Sequence, residues 1–273
     1  MEKRNFGNTG LAVSRLTFGC GAVGGLMTKG DAADQDRAIG WARDHGINFF
    51  DTAASYGNGV SEENLGRALN GNSDGLVIST KVGLSNDDLS DVYGAITRSL
   101  DASLARLRLD HVDIFQLHNT LGQTDFRGTL TIDQIMDAVV PAFDKLRDTG
   151  KVRFLGFTAK GEADDVHKLV SCGVFHSAQV FYNLLVPSAG EPIAATYPSD
   201  DYKLLLETAK DHGVGAIGVR ALAGGALSGS TARHPLGMRD VTPIGSETDY
   251  ATDVKRGLAF MPLVEAGHAG SLI

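Results

Sequence analysis

Short apolar runs alternate along this chain with longer segments in which apolar residues return every three or four positions. The runs cover residues 16–18, 47–50, 76–79, 112–117, 152–157, 178–181 and 215–219. Helical periods are clearest over 31–45, 86–107, 131–149, 162–172 and 200–212, with a further one over 250–266. Ser85 or Asp87 stands near one helix start, and Gly46, Gly150, Gly173 and Gly213 follow helix ends. Strands alternating with helices of this length predict parallel βαβ units, and so an α/β fold of the (β/α)8 TIM-barrel type. The opening stretch RNFGNTGLAVSRLTFG alternates apolar and polar residues around Asn8-Thr9-Gly10, which predicts an N-terminal β-hairpin.

The count of runs stops at seven. After 250–266 the sequence continues through Gly-His-Ala-Gly to Ser271-Leu272-Ile273, which leaves no room for an eighth strand and the final helices. The expectation is a barrel with an unpaired seam, taken from a longer parent chain. No linker, charge run or low-complexity tract divides the sequence, so residues 1–273 are read as a single domain.

Composition narrows the classes of function. A formal charge of −8 lacks the basic stripe that nucleic acid requires. No apolar stretch reaches the roughly 18 residues of a membrane span, and Met-Glu-Lys-Arg-Asn lacks the apolar core of a signal peptide. Two cysteines, Cys20 and Cys172, make no disulfide framework and suit a reducing compartment, so a cytoplasmic location is expected. No metal site is expected.

Reactive residues of an α/β barrel sit at the C-terminal ends of strands. Asp51 closes INFFD, Lys81 follows VIST, His118 closes VDIFQLH, and Tyr56 lies five residues past Asp51. Alone, Asp51 reads equally as a helix cap, Lys81 as a solvated rim charge, His118 as a hydrogen-bonded structural residue and Tyr56 as turn packing. Together they suit acid catalysis at a carbonyl. Tyrosine, with a pKa near 10, is a weak acid at neutral pH, and a neighbouring ammonium lowers that value. The expected roles are Tyr56 as proton donor, Lys81 as its tuner, Asp51 as anchor of Lys81 and His118 as polariser of the carbonyl. Lys81 could instead form a Schiff base in an aldolase.

DTAASYG at 51–57 and SEENLG at 61–66 resemble the signature of the aldo-keto reductase superfamily. TKVG at 80–83, LDHVDIFQLH at 109–118 and GKVRFLGFT at 150–158 follow in the family's order, and FGNTGLAVSRLTFG resembles the hairpin that plugs the barrel bottom. The resemblance runs from about residue 4 to the end. It implies an NAD(P)H-dependent oxidoreductase interconverting an aldehyde or ketone and its alcohol, sugars among the possible substrates, with Asp51, Tyr56, Lys81 and His118 as catalytic tetrad. It also implies NADP(H) or NAD(H) lying across the barrel mouth, contacted by Gly19, Cys20, Gly21, Asp51, Thr158, Gln179, Arg220, Leu222 and Gly224.

Three departures from the family pattern stand out. Ala159 replaces an amide that would bond the nicotinamide carboxamide, Val219 replaces a stacking aromatic, and the segment that selects NAD or NADP is not included. Some relatives are cofactor-sensing subunits, which leaves a binding role without turnover open. The stretches 119–130, 186–198 and 228–249 are expected to line the substrate pocket.

Overall fold

The computed structural model describes residues 1–123, 128–246 and 248–272. Strands β1 (Lys3–Asn5) and β2 (Ala12–Ser14) form the expected antiparallel hairpin. Then follow β3 (Thr17–Gly19), α1 (Leu26–Lys29), α2 (Ala32–Asp44), β4 (Phe49–Asp51), α3 (Val60–Leu69), β5 (Val77–Val82), α4 (Val92–Leu107) and β6 (Val112–Leu117). A small ladder joins β7 (Thr120–Leu121) to β8 (Thr129–Leu130). The chain continues through α5 (Ile132–Gln134), α6 (Val140–Arg147), β9 (Val152–Ala159), α7 (Ala163–Ser171), β10 (Ser177–Phe181), α8 (Leu205–Asp211), β11 (Gly215–Val219), α9 (Tyr250–Leu258) and α10 (Met261–Glu265).

Seven parallel strands, in the order β11-β10-β9-β6-β5-β4-β3, form a nearly closed barrel of the (β/α)8 type. Each predicted apolar run overlaps one of them, and the runs at 16–18, 47–50 and 76–79 begin one or two residues before their strands. Lys81 is inside β5 rather than past it, and Thr158 and Ala159 are the last residues of β9. Alternation then assigns the sides. Ser79 and Lys81 face inward while Ile78 and Val82 join the large core between strands and helices. Ala159 also faces that outer core, fully buried.

The floor of the barrel is a second apolar cluster. Phe49, Val77, Ile114 and Ile217 from the strands meet Phe6, Leu11 and Val13 of the hairpin. The plug is pinned by Asn48, whose side-chain oxygen accepts from Ser14 N–H at 2.7 Å while its amide nitrogen donates to the Ala12 carbonyl at 2.9 Å.

Helix limits differ from the periodic segments for local reasons. The 86–107 segment divides at Asp91: a 3₁₀ turn over Asn86–Ser90 with a Ser85/Asp88 capping box precedes α4, which Asp91 caps. Pro141 lacks an N–H, and the 131–149 segment passes through a π turn at Ile135–Val139 just before it. The 200–212 segment begins its helix only at Leu205, because Lys203 and Leu204 adopt left-handed φ of 50° and 59°. Pro262 starts α10 separately from α9. Helix α3 is absent from the periodic reading, which treats its residues only as a motif.

The outer edges of β3 and β11 flank the seam. A groove of about 950 Å³ lies there, lined by the hairpin, Leu16, Thr17 and residues 215–218. Among the described residues, no helix is long and apolar enough to cross a membrane, and no group of His, Cys, Asp and Glu could hold a metal ion.

Candidate active site

The site grows from the C-terminal ends of β4, β5 and β6. Asp51 ends β4, two residues before the turn that carries Tyr56. That turn is closed by Tyr56 N–H donating to the Ala53 carbonyl at 3.1 Å, and by Ser61 N–H donating to the Tyr56 carbonyl at 3.2 Å. Gly57, Asn58 and Gly59 then take three successive left-handed conformations, with φ of 62°, 55° and 93°, before α3 begins. A side chain at 57 would press on Thr28 and Val60, so glycine is required there for space as well as for φ. Asn119 ties the end of β6 to that of β5, accepting from Leu84 N–H at 2.9 Å and donating to the Leu84 carbonyl at 2.8 Å. This fixes His118, one residue earlier.

The four residues converge. Lys81 Nζ donates to Asp51 Oδ2 at 2.6 Å and to the Thr52 carbonyl at 2.5 Å, and it sits 4.6 Å from the centre of the Tyr56 ring. The Tyr56 and His118 rings meet edge to face at 5.8 Å. Ser55 Oγ lies 3.3 Å from His118 Nδ1, leaving the other ring nitrogen for a ligand. Asp51 Oδ1 accepts from Ser79 Oγ, Gln116 Nε2 and Gln179 Nε2 at 2.9, 3.1 and 3.0 Å. One carboxylate thus gathers three neutral donors and the buried Lys81 ammonium.

Burial is the largest single effect on Lys81, His118 and Tyr56, and it prevails at the last two. It acts against a charged Lys81, but the Asp51 charge and the Tyr56 and Asp51 hydrogen bonds outweigh it and raise the lysine pKa. His118 is lowered to about 4, first by burial and then by the Lys81 charge, so its imidazole is neutral at pH 7. At Tyr56 the effect of Lys81 has the expected sign but is not the larger one. Lys81 does pull the phenol down, but burial is the larger effect and the net value lies above 10. Tyr56 is therefore held as a protonated phenol bonded to an ammonium.

On the other arc, Thr158 ends β9 directly beside its register partner Gln179. Thr158 Oγ1 is buried with no hydrogen-bond partner, whereas the Gln179 amide nitrogen is committed to Asp51. Gly19 and Gly21 leave open backbone by Tyr56: a Cβ at 19 would meet nothing within 4 Å, and one at 21 only the Tyr56 ring at 3.8 Å. Cys20 between them is turned away. Its thiol is buried and pushed far up in pKa by that burial, its N–H donates to the Asp51 carbonyl, and its own carbonyl accepts from Ser61 Oγ. Leu222 is exposed and Gly224 buried in the turn after β11, where Arg233 donates to the Gly224 carbonyl at 2.6 Å. Arg220, the first residue past β11, has a half-buried side chain and a left-handed φ of 57°.

The sequence model of the aldo/keto reductase family matches residues 15–244. The chain belongs to that family. L-galactose dehydrogenase of Arabidopsis thaliana is 39% identical over 165 residues, which are 58% of this chain and 48% of the relative. The chain thus spans about half the length of that relative. The holo form of aldo-keto reductase AKR11C1 from Bacillus halodurans superposes with a TM-score of 0.65 at 25% identity, covering 89% of this chain and 74% of the other. An aldo/keto reductase from Klebsiella pneumoniae, in complex with NADP and acetate, has a TM-score of 0.60 at 24% identity, over 81% and 69% of the two chains.

Within this aldo/keto reductase, a cavity of about 940 Å³ opens at the mouth, lined by Thr120, Lys160, Arg220 and the stretches 199–203 and 242–245 among others. Two of the expected lining stretches therefore reach it. The third, 186–198, contributes none of the described lining, and 199–203 takes that place. Residues 124–127 and 247 of the expected lining lie outside the described residues.

Sequence reasoning missed Ser79, Ser55 and Glu62. Glu62 is fully buried, accepts from Thr80 Oγ1 at 2.5 Å and from Arg106 Nε at 2.7 Å, and so ties α3, β5 and α4 behind Lys81. Its place in SEENLG, at a helix start, was the available signal.

Proposed function

We propose that this protein interconverts an aldehyde or ketone and the corresponding alcohol, using NADP(H) or NAD(H), with Tyr56 as general acid and base. The observation that carries this reading is the half-buried, protonated Tyr56 held against the Lys81 ammonium, beside a neutral His118.

The bound dinucleotide would supply the hydride. Everything else falls to the chain. The Tyr56 hydroxyl and the His118 ring nitrogen opposite Ser55 bind the substrate oxygen from two sides. As charge develops on that oxygen, Tyr56 gives up its proton, and Lys81 stabilises the phenolate left behind. Asp51 keeps Lys81 in place and compensates its charge. In the alcohol-to-carbonyl direction the phenolate takes the proton back.

The residues present fit a nicotinamide. The unpartnered Thr158 hydroxyl can bond its carboxamide, and Gln179 retains its side-chain carbonyl for the carboxamide N–H. Gly19 and Gly21 would line the ribose, the Cys20 position contributing backbone shape alone. Leu222 and Gly224 would lie along the phosphates, with Arg233 next to the same turn. Ala159 faces the helices and makes no carboxamide contact. The NADP held by the Klebsiella relative supports a dinucleotide on this fold. The raised pKa of Lys81 weighs against a Schiff-base role, which needs the free amine.

The test is oxidation of NADPH at 340 nm with a panel of aldehydes, ketones and sugars. Turnover that Tyr56→Phe abolishes is the expected result. Tight NADPH binding with no turnover of any carbonyl would convert the reading to a cofactor-binding protein.

A further inference from the structure

Arg220 is the cation of the barrel mouth that no described acid neutralises. Its guanidinium is half-buried and takes part in no ion pair or side-chain hydrogen bond among the described residues. The charged or titratable groups that act on it are Tyr56 and a second cation, Arg233. Two guanidinium groups held close at partial burial repel each other, and each loses hydration.

The backbone is committed to this placement. Arg220 has a φ of 57°, a left-handed conformation that a residue with a Cβ seldom adopts. Asn183 Nδ2 holds the turn by donating to the Arg220 carbonyl at 3.0 Å. Gly224 makes room above it, since a Cβ there would lie 2.8 Å from Arg220 Nη1.

The two arginines serve different spaces. Arg233 is bonded to the Gly224 carbonyl and the Tyr250 hydroxyl, and it lines a separate cavity of about 220 Å³ with Val23 and Gly24. Arg220 lines the large cavity at the mouth, on the side of Tyr56. Lys160 lines the same cavity and acts on His118, so cations flank both groups that would hold the carbonyl oxygen. Three carboxylates of that cavity, Glu162, Asp164 and Asp201, act on Lys203 instead, which pairs with Asp164 at 2.7 Å.

We propose that Arg220 seats an oxyanion carried by the substrate, so that the preferred carbonyl compound bears a carboxylate or a phosphate. This rests on the reductase reading and adds a substrate class to it. A charge-assisted hydrogen bond contributes about 1.5–3 kcal/mol, or roughly ten- to a hundredfold in affinity.

Matched pairs test it: succinic semialdehyde against butanal, and glyceraldehyde 3-phosphate against glyceraldehyde, each with saturating NADPH. The expected result is a kcat/KM preference for the charged member of at least one pair by about tenfold or more, falling to below about threefold in Arg220→Met, chiefly through KM. Lys210→Met, a surface change remote from the mouth, should keep the preference and controls for loss of a charge alone.

A wild-type preference for the neutral members, or a preference unchanged in Arg220→Met, would overturn the proposal. A loss confined to NADPH affinity, read by fluorescence titration, would overturn it too and assign the guanidinium to the dinucleotide phosphates. If no carbonyl is turned over at all, the reductase reading fails separately. The arginine is then judged by calorimetry with succinate and inorganic phosphate on the full chain. Saturable binding lost in Arg220→Met supports the seat, and no binding to either anion, or binding unchanged in that variant, sinks it.

Discussion

The two arcs of the barrel mouth are built to opposite rules. On the arc of β4, β5 and β6, Asp51, Lys81, Ser79 and Gln116 are bonded to one another at 2.5–3.1 Å. On the arc of β9, β10 and β11, the Thr158 hydroxyl is buried without a partner, as is Gln116 Oε1 of the first arc, and Arg220 has no counter-charge among the described residues. The residues proposed to handle the proton are thus already bonded to one another within the fold, while the opposite arc holds an unpartnered hydroxyl and a cation. Preorganisation of the first arc costs nothing when a ligand arrives. The second arc accepts unpaired groups in the free protein, at about 1–3 kcal/mol for each buried one.

The largest effect that separates the arcs should come from Tyr56→Phe. Carbonyl reduction should slow by about two to four powers of ten in kcat, with NADPH affinity nearly that of the parent protein. A variant of full activity would remove Tyr56 from the mechanism. Next, Lys81→Met should cost roughly 3–5 kcal/mol of stability in urea unfolding, because it leaves Asp51 charged and buried without its cation. A cost under about 1 kcal/mol would mean that the first arc is not the tightly coupled unit its distances indicate.

The acid side of the pH profile gives a third comparison. The folded His118 value of about 4 lies below the ordinary 6.5. The stability that comes from keeping its imidazole neutral is fully present above about 6.5 and is lost as pH falls toward 4. NMR titration of the ring should show a midpoint well below 6, and a midpoint near 6.5 would contradict the burial that depresses it. The smallest effect is expected at Thr158. Thr158→Val should weaken NADPH binding by about three- to tenfold while leaving the free protein as stable or slightly more so. Ser177→Ala, at the start of β10, should leave NADPH affinity as it was. Equal losses in both would show that the unpartnered hydroxyls do not distinguish ligand from core.

The first arc was also the more readable in sequence. Strand β6 has the limits that its apolar run predicts, and alternation along it puts Ile114 in the floor cluster and Gln116 on Asp51. The tetrad is brought together because strand ends of a parallel barrel share one rim, a property of period and order alone. Gln179 donating to Asp51 could not be read that way, since the two lie far apart in sequence and meet only across the barrel interior. The net direction of the Tyr56 shift was not legible for a related reason. Charge neighbours are visible in a motif, but the amount of water a side chain loses is not. The late start of α8 follows from two left-handed residues, Lys203 and Leu204, whose types carry no turn signal.

The floor plug has a consequence for the order in which the molecule is made. Its Asn8 N–H donates to the Gly213 carbonyl at 2.8 Å, Gly7 presses on the same turn, and Phe6 lies so close over Gly215 that a side chain there would be 2.7 Å from its ring. Residues synthesised first are therefore clasped by residues synthesised near the last strand. The intervening βα units pair with immediate neighbours and can assemble as they emerge, whereas this clasp joins distant parts of the chain and carries a high loop-closure cost. Until β11 is laid down, Phe49, Val77 and Ile114 wait with one face wet, and the plug is the step that dries them.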